Sequence, residues 1–170
     1  RHRQPMLVAL ETLLSLPTLR FRASEILDLL DIPPLRQRFG LAESDLPVLQ
    51  RWIRGANVRW GLNADQRSEL DLPWHDDLHS WRFGLARMLM GYAVGEAAEN
   101  GADWAAIVPY DEVAGLDAAL VGPLYRLIRV LDELRQRLQQ PQSVADWGDT
   151  LRALLEMTLK PVSAAEQGML

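Results

Sequence analysis

Apolar residues recur along this chain at spacings of three and four over most of its length, the signature of helices with one buried face. Pro5 suits a helix start, and Met6, Leu7, Leu10, Leu13 and Leu14 make an apolar stripe that stops at Pro17. Ser24 is a natural N-cap for a helix over Glu25 to Leu30. Pro33-Pro34 ends that helix and opens a short one through Phe39, closed by Gly40. A helix from Asp45 to Arg54 follows, with Leu46, Leu49 and Ile53 on one side and Gly55 as the stop. Asn57 to Asn63 breaks the period and reads as an ordered loop.

Leu70 to Ser80, with Pro73, Trp74 and mixed charges, reads as an exposed connection and marks a possible sub-boundary near 70–80. Ser80 then caps a helix on which Trp81, Leu85, Met88 and Tyr92 share a face, weakened at its end by Gly91 and Gly95. Ile107-Val108 before Pro109 reads as a short strand or an extended link. The longest helix is expected from about Leu116 to Leu138, with Leu116, Leu120, Leu124, Leu127, Leu131, Leu134 and Leu138 keeping one face apolar. That face is a core stripe or an interface stripe, the core being the better default. Ser143, with Asp146 three residues later, forms a capping box for a last helix through Leu159, ended by Pro161. The pattern gives a mainly α, irregular multi-helix fold, taken as one domain over 1–170.

Composition removes several functions. The 170 residues include no cysteine, so disulfides, thiol chemistry and cysteine-built zinc sites are excluded. No apolar run is long enough to span a membrane, no signal peptide opens the chain, and the lack of cysteine agrees with a cytosolic origin. The start at Arg1 rather than Met suggests a piece excised from something longer. Seventeen arginines stand against one lysine, Lys160, in Leu159-Lys160-Pro161. A phosphate-binding P-loop needs Gly-Lys-Ser/Thr, and a lysine-dependent nuclease site needs an acid where Thr158 stands. Neither ATP hydrolysis nor that nuclease chemistry is expected here.

Charge is uneven. Residues 1–60 carry a balance of +3, residues 61–118 a balance of −8, and the remainder is neutral, for a net −5. A chain of this net charge is not expected to grip nucleic acid by bulk electrostatics alone, and the first third is the only candidate for a local basic face that would. The acidic middle would repel phosphates or face a basic partner.

Three clusters carry candidate chemistry. His75-Asp76-Asp77-Leu78-His79 puts two histidines at i,i+4, metal-ligand spacing if the segment is helical, but a solvated loop explains it more simply. Tyr110-Asp111-Glu112 offers paired carboxylates without a His, Cys or Lys to work with, and reads as favourable charge before a helix N-terminus. Arg51 and Arg54 share a helical face, and Arg59-Trp60 follow. Arginine beside an exposed aromatic holds single-stranded nucleic acid through phosphate and base. On the residues alone, a packed Trp60 with solvated arginines is the simpler account.

Read in order, Arg20-Phe21, Ser24 to Leu30, Arg38-Phe39-Gly40, Arg59 to Asn63, Trp81 to Leu85 with Met88-Leu89 and Gly91-Tyr92-Ala93, and Pro109 to Glu112 resemble the gamma chain family of exodeoxyribonuclease V, the RecC subunits of RecBCD. The resemblance covers nearly the whole chain and implies a fragment of an inactivated UvrD-like helicase module. It further implies a non-catalytic scaffold in a bacterial, cytoplasmic complex that processes double-strand breaks for recombination repair. The partners would be the alpha and beta chains, which hold the ATP and magnesium, with DNA met through the complex. The resemblance raises Arg59 and Trp60 as strand contacts, makes nothing catalytic, and transfers no Chi-reading role to any residue. A purely structural packing domain without DNA contact is the alternative, and a metal-dependent hydrolase using His75 and His79 the remote one.

Overall fold

The structure is a computed structural model that describes residues 5–71, 76–94, 108–110, 112–113 and 115–160. Eight α-helices are described: α1 (Pro5–Leu14), α2 (Ala23–Leu30), α3 (Pro33–Arg38), α4 (Leu46–Gly55), α5 (Ala64–Glu69), α6 (Trp81–Val94), α7 (Val121–Gln139) and α8 (Val144–Thr158). Among the described residues, three 3-10 turns lie between them, at Leu16–Thr18, Glu43–Asp45 and Gly115–Leu120, and no strand occurs. The mainly helical expectation holds.

Helix α7 is the central beam. Leu124, Leu127, Leu131, Leu134 and Leu138 are all buried, so its leucine face is core. It packs against the Leu16–Thr18 turn, α6 and α8. Helices α2, α3 and α4 close the other side, with Ile26, Leu29, Leu30, Leu35, Leu49, Trp52 and Ile53 in the same apolar cluster. The main chain of Lys160 donates to Pro34 O at 2.9 Å and the Arg38 Nε donates to Glu156 O at 2.8 Å, tying the end of α8 to α3.

Several expectations shift, each for a local reason. Helix α7 begins at Val121 rather than Leu116, because Pro123 inside an α-helix would clash with the carbonyl four residues earlier. The chain takes a 3-10 turn up to Leu120 instead, leaving Pro123 in the first helical turn. The start of α2 is Ala23, so Ser24 lies within the helix. The Arg22 N–H donates to the Glu25 carboxylate at 2.8 Å, a cap made by an acid reaching back. On α1 the buried positions are Met6, Ala9 and Leu13, while Leu7 and Leu14 face outward. On α6, Trp81, Leu85 and Met88 are core but Tyr92 is 61% exposed, off the stripe. Helix α5, six residues long, has no apolar period and was not anticipated. Val108 is exposed and outside any strand, and Ile107 lies outside the described residues.

The capping expectations for α6 and α8 hold. Ser80 Oγ accepts from the Phe83 N–H at 3.1 Å. Ser143 Oγ accepts from the Asp146 N–H at 3.2 Å, and the Ser143 N–H donates to the Asp146 carboxylate at 3.4 Å. Replacing Ser143 with alanine is expected to cost about 1 kcal/mol, read as a lower urea midpoint at unchanged slope.

Candidate functional site: an arginine-bearing helix face and a main-chain joint

Residues 57–63, the segment holding Arg59 and Trp60, form a joint between distant parts of the chain. The Arg59 N–H donates to His79 O, Arg59 O accepts from the Ala23 N–H, and the Gly61 N–H donates to Arg20 O, each at 2.9 Å. The Trp81 and Arg82 N–H groups donate to Gly61 O and Leu62 O, also at 2.9 Å. Three segments, 20–23, 57–63 and 79–82, are thus bound by main-chain hydrogen bonds without forming a sheet. The geometry requires backbone that side chains rarely favour: Phe21, Asn57 and His79 have φ of 53°, 63° and 62°, and Gly61 has φ 79°. Their neighbours hold them there. Trp81 Nε1 donates to Phe21 O at 2.9 Å, and a His79 Nδ1 contact to Asn57 O measures 3.1 Å.

Arg67 is the polar centre of this joint and is 1% exposed. Its guanidinium donates to Trp60 O at 2.7 Å and Asp76 O at 2.8 Å, and lies 4.2 Å from the centroid of the Trp60 ring. Burial lowers the Arg67 pKa, while Asp76 and Asp77 act the other way. Gln66 is buried beside it, accepting from the Leu62 N–H at 3.1 Å and donating to Leu19 O at 3.2 Å. Nothing in the sequence singled out Arg67 or Gln66, because Ala-Asp-Gln-Arg-Ser-Glu has the composition of a solvated helix.

The arginines therefore divide by environment. Trp60 is half-buried against Arg67, so one face of its ring is occupied. Arg59 is exposed, with only its Nε near Asn57 Oδ1 at 3.4 Å. Arg51 and Arg54 are both exposed on α4. Arg51 sits 3.6 Å from the Glu112 carboxylate, and Arg54 has no carboxylate partner among the described residues.

Glu112 thereby acquires a role different from the one its sequence position suggested. It accepts from the Tyr110 hydroxyl at 2.8 Å and pairs with Arg51, rather than serving the next helix N-terminus. Tyr110 is buried against the end of α4, where a side chain at Gly55 would overlap its ring. Asp111 lies outside the described residues.

The His75–His79 segment is not helical in its described part, 76–79, where His79 has positive φ. Asp77 accepts from the Ala64 N–H at 2.7 Å and faces Arg82 at 3.7 Å. Asp76 accepts from the Leu78 N–H at 3.1 Å. The shared helical face that metal binding by spacing required does not form there, and His75 lies outside the described residues. No group of three potential metal ligands occurs among the described residues. None of the described helices is long and apolar enough to cross a membrane.

Comparison with known proteins now supplies the family. The model of the RecBCD enzyme subunit RecC fourth domain matches residues 3–170. The chain belongs to the RecC family. RecBCD enzyme subunit RecC of Escherichia coli K12 is 40% identical over 169 residues, which cover 99% of this chain and 15% of that protein. The Haemophilus influenzae RecC is 36% identical over 144 residues, covering 85% of this chain and 12% of that one. RecC of Mycobacterium tuberculosis H37Rv is 32% identical over 155 residues, covering 90% and 14%. The chain thus spans about one-seventh of the length of these RecC relatives. The resemblance drawn from the ordered motifs is borne out at the level of the RecC family.

Proposed function

We propose that this chain is a non-catalytic scaffold segment of a RecBCD enzyme, with exposed arginines lying along the path of a DNA strand. Family membership over residues 3–170 is the observation that carries the reading. It brings RecB and RecD as partner subunits, DNA ends as the substrate of the assembly, the bacterial cytoplasm as its location, and ATP and magnesium as requirements of the partners. The inactivated UvrD-like helicase origin belongs to the same proposal. On the surface, Arg51, Arg54 and Arg59 are exposed cations, and guanidinium groups suit phosphate. Trp60 contributes by fixing the loop under Arg67 and can offer a base only one face of its ring.

A second reading has its own observation. The Trp60–Arg67 stack is what a purely structural loop would contain, and it favours a packing module without DNA contact.

Binding of labelled oligothymidine to the chain across a salt series separates the two. If the strand reading holds, the wild type binds weakly with salt-dependent affinity. The Arg51→Gln, Arg54→Gln, Arg59→Gln variant then loses affinity and its log–log salt slope flattens by about 2, at roughly 0.7 per lost phosphate contact. Equal, flat baselines for both proteins would remove the strand path and leave the packing reading.

A further inference from the structure

The outside of the joint is positive although the chain as a whole carries −5. Arg20 and Arg22 flank the buried Phe21, and both are exposed. Arg20 O accepts from the Gly61 N–H, and the Ala23 N–H beside Arg22 donates to Arg59 O, each at 2.9 Å. Arg54 enters from the end of α4, its O accepting from the Asn57 N–H at 3.0 Å. Residues facing each other across such bonds stand about 5 Å apart at Cα, so these arginines spring from one patch of backbone.

The acids of the joint are engaged elsewhere. Glu25 accepts from the Arg22 N–H at 2.8 Å and so caps α2. Asp77 accepts from the Ala64 N–H and faces Arg82, while Asp76 faces the buried Arg67. Among the described residues, none of Arg20, Arg22, Arg54 and Arg59 has a carboxylate partner. By contrast, the exposed Arg51, Arg137 and Arg152 each have one. Like charges gathered on one patch repel, and a ligand with several negative charges in a row relieves the repulsion. A phosphodiester backbone has that form, and the guanidinium fork matches phosphate. Because the joint's own bonds already fix the main chain, little backbone order is lost on binding.

We propose that the joint is a phosphate-binding platform on which Arg20 and Arg22 act with Arg54 and Arg59 to hold one single-stranded DNA backbone. The inference rests on the strand reading given above and adds the 20–22 segment to the path. A single strand is favoured over an acidic polypeptide because Trp60, in the same loop, has one ring face left for a base.

The test uses the full-length subunit in the purified, assembled complex, kept without ATP and magnesium so that DNA stays intact. Exposed guanidinium groups are modified with p-hydroxyphenylglyoxal, and each site is quantified by mass spectrometry, with and without a duplex ending in oligothymidine tails. Arg20, Arg22, Arg54 and Arg59 are expected to react without DNA, to be slowed about threefold or more by it, and to recover as salt is raised. Arg152, paired with Asp149 on α8, should be indifferent to DNA. Changing Arg20 and Arg22 together to glutamine should flatten the log–log salt slope of binding by about 1.4, at roughly 0.7 per lost phosphate contact. Protection of Arg54 and Arg59 without Arg20 and Arg22 would overturn the inference and leave the strand reading standing. No protection at any of the four would overturn both. Polyglutamate protecting Arg20 and Arg22 as well as DNA does would assign the platform to an acidic polypeptide instead. Arg20 and Arg22 that stay unreactive without DNA, or a salt slope indifferent to their loss, would also overturn it.

Discussion

Arg67→Met is expected to lower the unfolding free energy by about 3–5 kcal/mol. The methionine keeps the apolar stem but leaves Trp60 O and Asp76 O, now accepting at 2.7 and 2.8 Å, without their charged donor. It also removes the cation from over the Trp60 ring. Lysine restores charge without the fork that reaches two carbonyls at once, so Arg67→Lys should recover little of the loss. Urea unfolding followed by far-ultraviolet circular dichroism measures both variants. A methionine variant within 1 kcal/mol of wild type would show that the joint stands on its main-chain bonds alone.

Gly84→Ala is the second large effect, and its sign is the informative part. In a solvated helix interior this change gains about 1 kcal/mol from propensity. Gly84 is buried on α6, however, and a Cβ there would overlap Val58 Cγ2 of the joint loop. Val58 is itself 5% exposed, so neither side can yield freely. The expected outcome is a net destabilisation of about 1–3 kcal/mol. Val58→Ala opens the space, so the double variant should be more stable than the two single losses predict, by a coupling of about 1–2 kcal/mol. Thermal or urea unfolding of the four proteins reads the cycle. A stabilising Gly84→Ala would show that α6 stands further from the loop than described.

The contrast between these sites explains what the sequence could disclose. Helices α4, α6 and α7 were legible because each carries enough apolar residues on one side for period alone to find it. The caps at Ser80 and Ser143 were legible because capping is local. The α7 start was misplaced by one feature whose effect is also local, Pro123 acting on the turn before it. The joint was not legible, because its bonds link residues as far apart as Phe21 and Trp81 and most of them use main-chain groups that every residue shares.

The candidate site shows the same division. Arg51, Arg54 and Arg59 were readable as basic positions and are indeed exposed. That Trp60 gives one ring face to Arg67, or that Glu112 folds back onto Arg51, depends on contacts across 7 and 61 residues, beyond any local pattern. Arg20 and Arg22 were visible only as two charges around an apolar residue. Their place beside Arg59 emerges once the main-chain bonds of Arg20 to Gly61 and of Ala23 to Arg59 are seen.

A joint held by amides and carbonyls also separates shape from inheritance. Because Arg59 contributes its own N–H and C=O to the fastening, its exposed side chain adds only a long contact to Asn57. Lineages can therefore exchange what stands at that position, altering what the surface touches, while the path of the chain is copied unchanged. Arg67 has no such liberty, since there the side chain is the fastening. Drift should accumulate on the outer rim of this loop and stall at its centre.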